Sequence, residues 1–168
     1  ELGDGAENLK EHPTHRGRGV NALVEQVVQR TGRDGIEARL WPELPPVLGD
    51  ELMVRRILEN LIGNALDSVA GRANGTVTVS TEQVQSADGS GCVRMTVADT
   101  GTGMTEAELN RAFDDFYTTK PGGSGLGLSI VRRLILDLEG TLRVETEPGS
   151  GTRVLVDLPL APSKDSQP

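Results

Sequence analysis

The sequence predicts an α/β (α+β) two-layer sandwich: a mixed, mostly antiparallel sheet of about five strands with about three helices on one face. Three observations predict it. Helical and strand periodicities alternate along the chain. The strands come both as hairpin pairs and across helical crossovers, which favours a mixed sheet covered on one face over a doubly wound parallel sheet. The length, 168 residues, fits one domain whose core needs no covalent staple.

Residues 1–18 are rich in Gly, charge and His, show no sustained period, and read as a frayed lead-in, the stump of a preceding helix. Asn21 to Thr31 predicts a helix, with Leu23, Val24, Val27 and Val28 on one side. Ile36 to Trp41 alternates as a strand, and Pro42, Pro45 and Pro46 then force a loop. Asp50 caps a long helix running to about Ala70. Asn74-Gly75 is a turn, Thr76 to Thr81 a strand, Asp88 to Gly91 another turn, and Val93 to Ala98 the strand that pairs back. Thr105 starts a short helix with Glu108 as its capping-box partner. Gly125 to Asp137 is a helix, and Gly140 to Thr146 and Thr152 to Leu158 are two strands joined around Pro148-Gly149. The domain is expected to span 19–161, with a disordered tail over 162–168.

Composition excludes several classes. A formal net charge of -8 argues against a nucleic-acid backbone binder, and 2% aromatic residues argue against base stacking. Cys92 stands alone, so no internal disulfide forms. No run is apolar and long enough to cross a bilayer, and the expected location is cytoplasmic, without membrane contact by this segment. A nucleotide site on such an acidic chain must make its positive field from backbone N–H groups, a metal ion and a few basic side chains.

Three segments carry chemistry. On the long helix, Asn60, Asn64 and Asp67 are spaced i, i+4, i+7, one stripe beside the apolar arc of Val54, Ile57, Leu58, Leu61, Ala65 and Val69. Asn is a poor helix former. Its side-chain carbonyl suits a hard cation such as Mg²⁺, whereas the plain alternative is a solvated or loop-capping stripe. Next, Asp99-Thr100-Gly101-Thr102-Gly103-Met104 follows a strand, where an Asp beside exposed glycine backbone can accept from an exocyclic amine. A tight strand-to-helix connection explains the same string. The densest signal is Lys120-Pro121-Gly122-Gly123-Ser124-Gly125-Leu126-Gly127-Leu128-Ser129, with four glycines in six residues leading into a helix. Free N–H groups at a helix start attract anions, and glycines admit phosphate oxygens. It is neither a Walker loop nor a dinucleotide-binding fingerprint. Between the loops, Phe113, Phe116 and Tyr117, all but one of the chain's aromatics, suggest a lid packed by its rings, with ordinary core packing as the plain alternative.

In this order and spacing the segments resemble the catalytic domain of sensor histidine kinases, within the ATPase superfamily shared with DNA gyrase, the heat-shock chaperone and the mismatch-repair ATPases. The resemblance runs from about Val20 to Leu160. Asn60-Leu61-Ile62-Gly63-Asn64-Ala65 is similar to the N box, Asp99 to Gly103 to the first glycine box, Phe113 to Lys120 to the phenylalanine box, and Gly123 to Gly127 to the second glycine box. Gly149-Ser150-Gly151-Thr152 resembles the terminal Gly-Thr element.

The resemblance implies ATP and Mg²⁺ as ligands. Asn64 would coordinate Mg²⁺, Asn60 would support the phosphates or the metal shell, and Asp67 would join them in binding the nucleotide. Asp99 would read the adenine amine, with Thr152 assisting through water. Gly101, Gly103 and Met104 would line the base and sugar. Gly123, Ser124, Gly125, Leu126, Gly127 and Leu128 would wrap the phosphates, and Lys120 would offer them positive charge. Hydrolysing relatives carry a Glu four residues before the metal-binding Asn; here that position is Asn60, which cannot accept a proton. The resemblance therefore implies transfer of the γ-phosphoryl group to another group, not to water. The acceptor histidine is implied on a separate dimerisation and phosphotransfer domain of the same protein, and the eventual recipient is a response regulator's receiver domain. His12 and His15 flank Pro13, which breaks the helix such a histidine needs. Alone, the chain is expected to be a monomer that does not phosphorylate itself.

The sequence departs from the family at Asp115, where Pro is frequent, and at Leu66-Asp67-Ser68, where many relatives carry a basic residue. Glycine density predicts mobility over 114–124. The competing readings are an ATPase or serine kinase of the same superfamily, and a degenerate nucleotide-sensing module that binds partners.

Overall fold

The structure, a computed structural model, describes residues 19–32, 34–119, 125 and 127–162. The expected lead-in and nearly all of the expected tail lie outside the described residues. Among the described residues nine elements follow one another. They are α1 (Val20–Thr31), β1 (Ile36–Leu40), α2 (Glu51–Val69), β2 (Val77–Gln85), β3 (Gly91–Asp99), α3 (Glu106–Arg111), α4 (Gly127–Asp137), β4 (Thr141–Glu147) and β5 (Gly151–Pro159).

The strands form one sheet in the order β1-β2-β3-β5-β4. Only β1 and β2 run parallel, joined by the α2 crossover; the other pairs are antiparallel. This is the expected mixed, mostly antiparallel sheet. Side chains alternate across it, so Val77, Val79, Val93, Met95, Val97, Val156 and Leu158 all face one core. Onto them pack Leu23, Val24 and Val27 of α1, Val54, Ile57, Leu58, Leu61, Ile62 and Ala65 of α2, and Val131 and Ile135 of α4. Helix α3 buries none of its residues, so three helices cover the face and the fourth stays outside the core. Leu58 is fully buried; truncating such a side chain to Ala costs about 2–5 kcal/mol.

Local chemistry explains the boundaries. Asp50 accepts the Leu52 N–H at 2.8 Å and caps α2. Thr105 and Glu108 form the expected capping box, with bonds of 3.2 and 2.8 Å. Asp88 accepts from the Ser90 backbone at 2.9 Å and from the Ser90 hydroxyl at 2.6 Å, closing the β2–β3 turn. Several expected boundaries move, β3 among them, which runs from Gly91 to Asp99. β2 extends past Thr81 to Gln85 because Glu82 to Gln85 keep partners from Arg94 back to Gly91. α4 begins at Gly127, not Gly125, because Gly125 has φ +70°, outside the helical region.

Candidate nucleotide site

The functional segments meet along one flank of α2 and the adjoining end of the sheet. On α2, Asn60 and Asn64 are half-buried and Asp67 is exposed. The Asn60 amide nitrogen donates to the Arg56 carbonyl at 2.8 Å, which orients the side chain along the helix. Gly127, the first residue of α4, lies over both asparagines. A Cβ added there would stand 3.4 Å from Asn60 Oδ1 and 3.8 Å from Asn64 Nδ2. The second glycine loop therefore delivers its helix start to the asparagine stripe. Glu59 is turned elsewhere, with its carboxylate 4.0 Å from the Arg30 guanidinium on α1.

At the sheet's end, register aligns three polar residues on the core-facing side. Asp99 of β3 stands opposite Thr152 of β5, and Thr152 stands opposite Thr146 of β4. A depression at this end of the sheet is lined by these three residues and also by Thr78, Ala98, Glu145 and Arg153 of the opposite face, and by no residue of α2. Asp99 Oδ1 accepts the Gly101 N–H at 2.8 Å, which curls the loop back on its own strand. Thr146 Oγ1 accepts the Met104 N–H at 3.0 Å.

The first glycine box owes its glycines to the protein itself. Gly101 is buried against Ser68, and a Cβ there would collide with the Ser68 hydroxyl. Gly103 has φ +63° and would collide with the Glu147 carbonyl. The close strand-to-helix connection weighed above is thus a sufficient reason for both. Leu128 likewise packs against the core.

Among the described residues the aromatic cluster packs by its rings only in part. Phe116 is 77% exposed and has a positive φ of 64°. Tyr117 stacks under Arg111, whose guanidinium carbon lies 4.4 Å from the ring centroid. Gly125 approaches the Phe116 backbone so closely that a Cβ would overlap it. Lys120, Gly123, Ser124 and Leu126, and the mobility expected through 120–124, lie outside the described residues.

Four residues absent from the motif reading hold the site. Ser68 Oγ accepts the Thr102 N–H at 3.2 Å. Arg72 donates to two loop carbonyls, Thr76 N–H donates to Thr100 Oγ1 at 2.9 Å, and Thr146 joins Met104 to Thr152. Ser68 carried a signal, since it continues the Asn60–Asn64 spacing by four. Arg72 lies beyond the helix end, where no periodicity points.

The family model described as "Histidine kinase-, DNA gyrase B-, and HSP90-like ATPase" matches residues 49–162. The chain belongs to this family. As a member of it, the chain is an ATP-binding domain. Among its relatives, the signal transduction histidine-protein kinase AtoS of Escherichia coli (strain K12) is 31% identical over 149 residues, covering 85% of this chain and 24% of AtoS. The C4-dicarboxylate transport sensor protein DctB of Rhizobium meliloti (strain 1021) is 34% identical over 128 residues, covering 76% of this chain and 20% of DctB. The chain thus spans about a quarter of the length of these relatives. Among solved structures, the catalytic domain of histidine kinase ThkA matches with TM-score 0.71 and 26% identity, covering 85% of this chain and 93% of that one. The mycobacterial sensor histidine kinase MprB matches with TM-score 0.70 and 27% identity, covering 87% and 97%.

Proposed function

We propose that this chain is the catalytic domain of a two-component sensor histidine kinase, presenting the γ-phosphoryl of Mg-ATP to a histidine on a separate helical domain. The observation that carries the reading is the pairing of Asn60 with Gly127. An amide, which cannot take a proton from water, faces the start of α4. The neighbouring carboxylate, Glu59, is directed to Arg30 instead. At the Asn60 position a nucleotide meets an amide and not a carboxylate base, so its γ-phosphoryl is kept for an incoming nucleophile. In the transfer, an imidazole nitrogen bonds to the γ-phosphorus as the bond to the bridging oxygen breaks and ADP leaves.

The donor set fits Mg²⁺. Asn64, half-buried on α2, offers a side-chain carbonyl oxygen, a hard donor that would share the ion with phosphate and water. When bound, the ion neutralises phosphate charge. Asp99 and Thr152 are assigned to the adenine end, and Met104 with Gly101 and Gly103 to the base and sugar. Gly125, Gly127 and Leu128 are assigned to the phosphate end with Lys120, Gly123, Ser124 and Leu126; Asp67 borders the stripe. The partners of the reading are the dimerisation and phosphotransfer domain and a response regulator's receiver domain, with this chain monomeric by itself. Among the described residues no helix is long and apolar enough to cross a membrane.

Incubating the chain with Mg-ATP labelled at the γ-phosphate tests the reading. No phosphate release is expected from the chain alone, and labelling of an added histidine-bearing bundle from a relative is expected. Steady hydrolysis without transfer would place the chain with the ATPases instead.

A further inference from the structure

We infer that Thr146 is a specificity-determining positioning residue: by fixing the proton of the Thr152 hydroxyl, it makes Thr152 an acceptor toward the nucleotide base. The inference rests on the adenine-binding reading of the Asp99–Thr152 end of the site.

Thr146 Oγ1 has three polar neighbours. They are Met104 N at 3.0 Å, Gly151 O at 3.0 Å and Thr152 Oγ1 at 2.9 Å. The first can only donate and the second can only accept. A threonine hydroxyl offers one proton and two lone pairs. If the Thr146 proton goes to Gly151 O, one lone pair takes the Met104 N–H. The other lone pair then meets Thr152 only if Thr152 donates. All three bonds are made in that arrangement. If Thr146 donates to Thr152 instead, the Gly151 contact has no proton between its oxygens and one bond is lost. The network therefore directs the Thr152 proton inward, toward β4, and leaves that hydroxyl only lone pairs to offer a base beside Asp99.

Asp99 stands opposite Thr152 in the β3–β5 ladder. A carboxylate and a hydroxyl oxygen committed to accepting thus stand side by side on two adjoining strands, β3 and β5. Two acceptors together match an exocyclic amino group, directly or through one water. They repel a ring carbonyl oxygen, which guanine carries where adenine carries its amine. Without Thr146, the Thr152 hydroxyl is free to turn and donate to that carbonyl, so discrimination falls.

The bland alternative is that Thr146 only fastens the Met104 loop to the β4–β5 hairpin. That role would weaken all purine nucleotides together, whereas a fixed hydroxyl polarity changes their ratio. Calorimetric titration of the 168-residue chain with non-hydrolysable ATP and GTP analogues in Mg²⁺ separates the two. Thr146→Val is expected to cut the ATP:GTP affinity ratio roughly fivefold, the size of one neutral hydrogen bond. Thr146→Ser, which keeps the hydroxyl, is expected to hold the ratio near the unsubstituted chain. Because Thr146 acts through Thr152, adding Thr146→Val to Thr152→Val is expected to change the ratio no further. Thr146→Ala carries the same test if the valine variant does not fold. A ratio unmoved by Thr146→Val or Thr146→Ala in a folded chain, or an additive double variant, overturns the inference while leaving the adenine site standing. No adenine binding by the unsubstituted chain overturns both.

Discussion

Arg72 grips Gly101: one guanidinium nitrogen donates to the Gly101 carbonyl at 2.8 Å and to the preceding Thr100 carbonyl at 2.7 Å. The residue comes just after α2 ends, three positions past Val69. With Ser68 holding the Thr102 N–H, it fastens the C-terminal end of the asparagine-bearing helix to the first glycine loop. The two halves of the site are thereby set at a fixed distance before any nucleotide arrives, which lowers the ordering cost of binding.

Removing that grip is expected to weaken nucleotide binding without unfolding the domain. Arg72→Ala loses two charge-assisted bonds at an exposed site, and an affinity loss on the order of tenfold is expected after solvent screening. Arg72→Lys keeps the charge but not the guanidinium, and an intermediate loss is expected. Titration with an ATP analogue measures the loss, and faster amide exchange over residues 100–103 locates it. Equal affinity and equal exchange in Arg72→Ala would remove Arg72 from the account.

Asn64→Ala and Asn64→Asp test the proposed metal ligand. Both are expected to weaken Mg-ATP binding or abolish transfer in the intact kinase while the fold survives, because Asn64 is half-buried at the edge of the core. Binding of the nucleotide without Mg²⁺ is expected to change less, which separates a metal role from general disruption. Unchanged Mg-dependence in a folded variant contradicts the assignment.

The fold was legible because its signals are local and mutually consistent. The apolar arc of α2, the Thr105–Glu108 capping box and the Asp88 turn each depend on neighbours a few residues away, and each appears where its residues predict it. The site was legible as motifs: Asn60 and Asn64 meet Gly127, and Asp99 meets Thr152. What was hidden depends on long-range placement. Arg72 and Gly101 are far apart in sequence and have no shared periodicity, and the β4–β5 turn that brings Thr146 opposite Thr152 could not be assigned a register in advance. The aromatic cluster was legible only in part for a related reason: Tyr117 packs its ring under Arg111, which lies outside the cluster, while Phe116 faces solvent.

On the opposite face of the sheet, Arg94 and Asp157 form a two-pronged ion pair of 2.7 and 2.8 Å between β3 and β5. Both side chains are about four-fifths covered, at 22% and 17% exposure, so screening is reduced. Arg94→Ala is expected to cost about 1–3 kcal/mol of unfolding free energy. A double-mutant cycle with Asp157→Ala in urea unfolding is expected to show coupling of about 1 kcal/mol or more. Zero coupling would mean the pair adds nothing beyond its burial.

Cys92 is buried on β3, and burial first, then the nearby charges of Asp157 and Asp88, raises its thiol pKa. The folded state thus favours the neutral thiol. Its contribution to stability is present below the unfolded thiol pKa of about 8.5 and is lost as pH rises beyond it. Alkylation by iodoacetamide near pH 8 is expected to be far slower in the native chain than in urea. Equal rates would contradict the buried placement.

The central claim is that this chain holds adenine nucleotide between Asp99 and the Asn60–Asn64 stripe. Calorimetric titration with a non-hydrolysable ATP analogue, with and without Mg²⁺, with a GTP analogue and with Asp99→Asn, tests it most directly. The predicted result is Mg²⁺-sensitive binding selective for adenine, with the selectivity reduced in Asp99→Asn. Absence of binding by the folded chain, or equal binding of both purines, would contradict it.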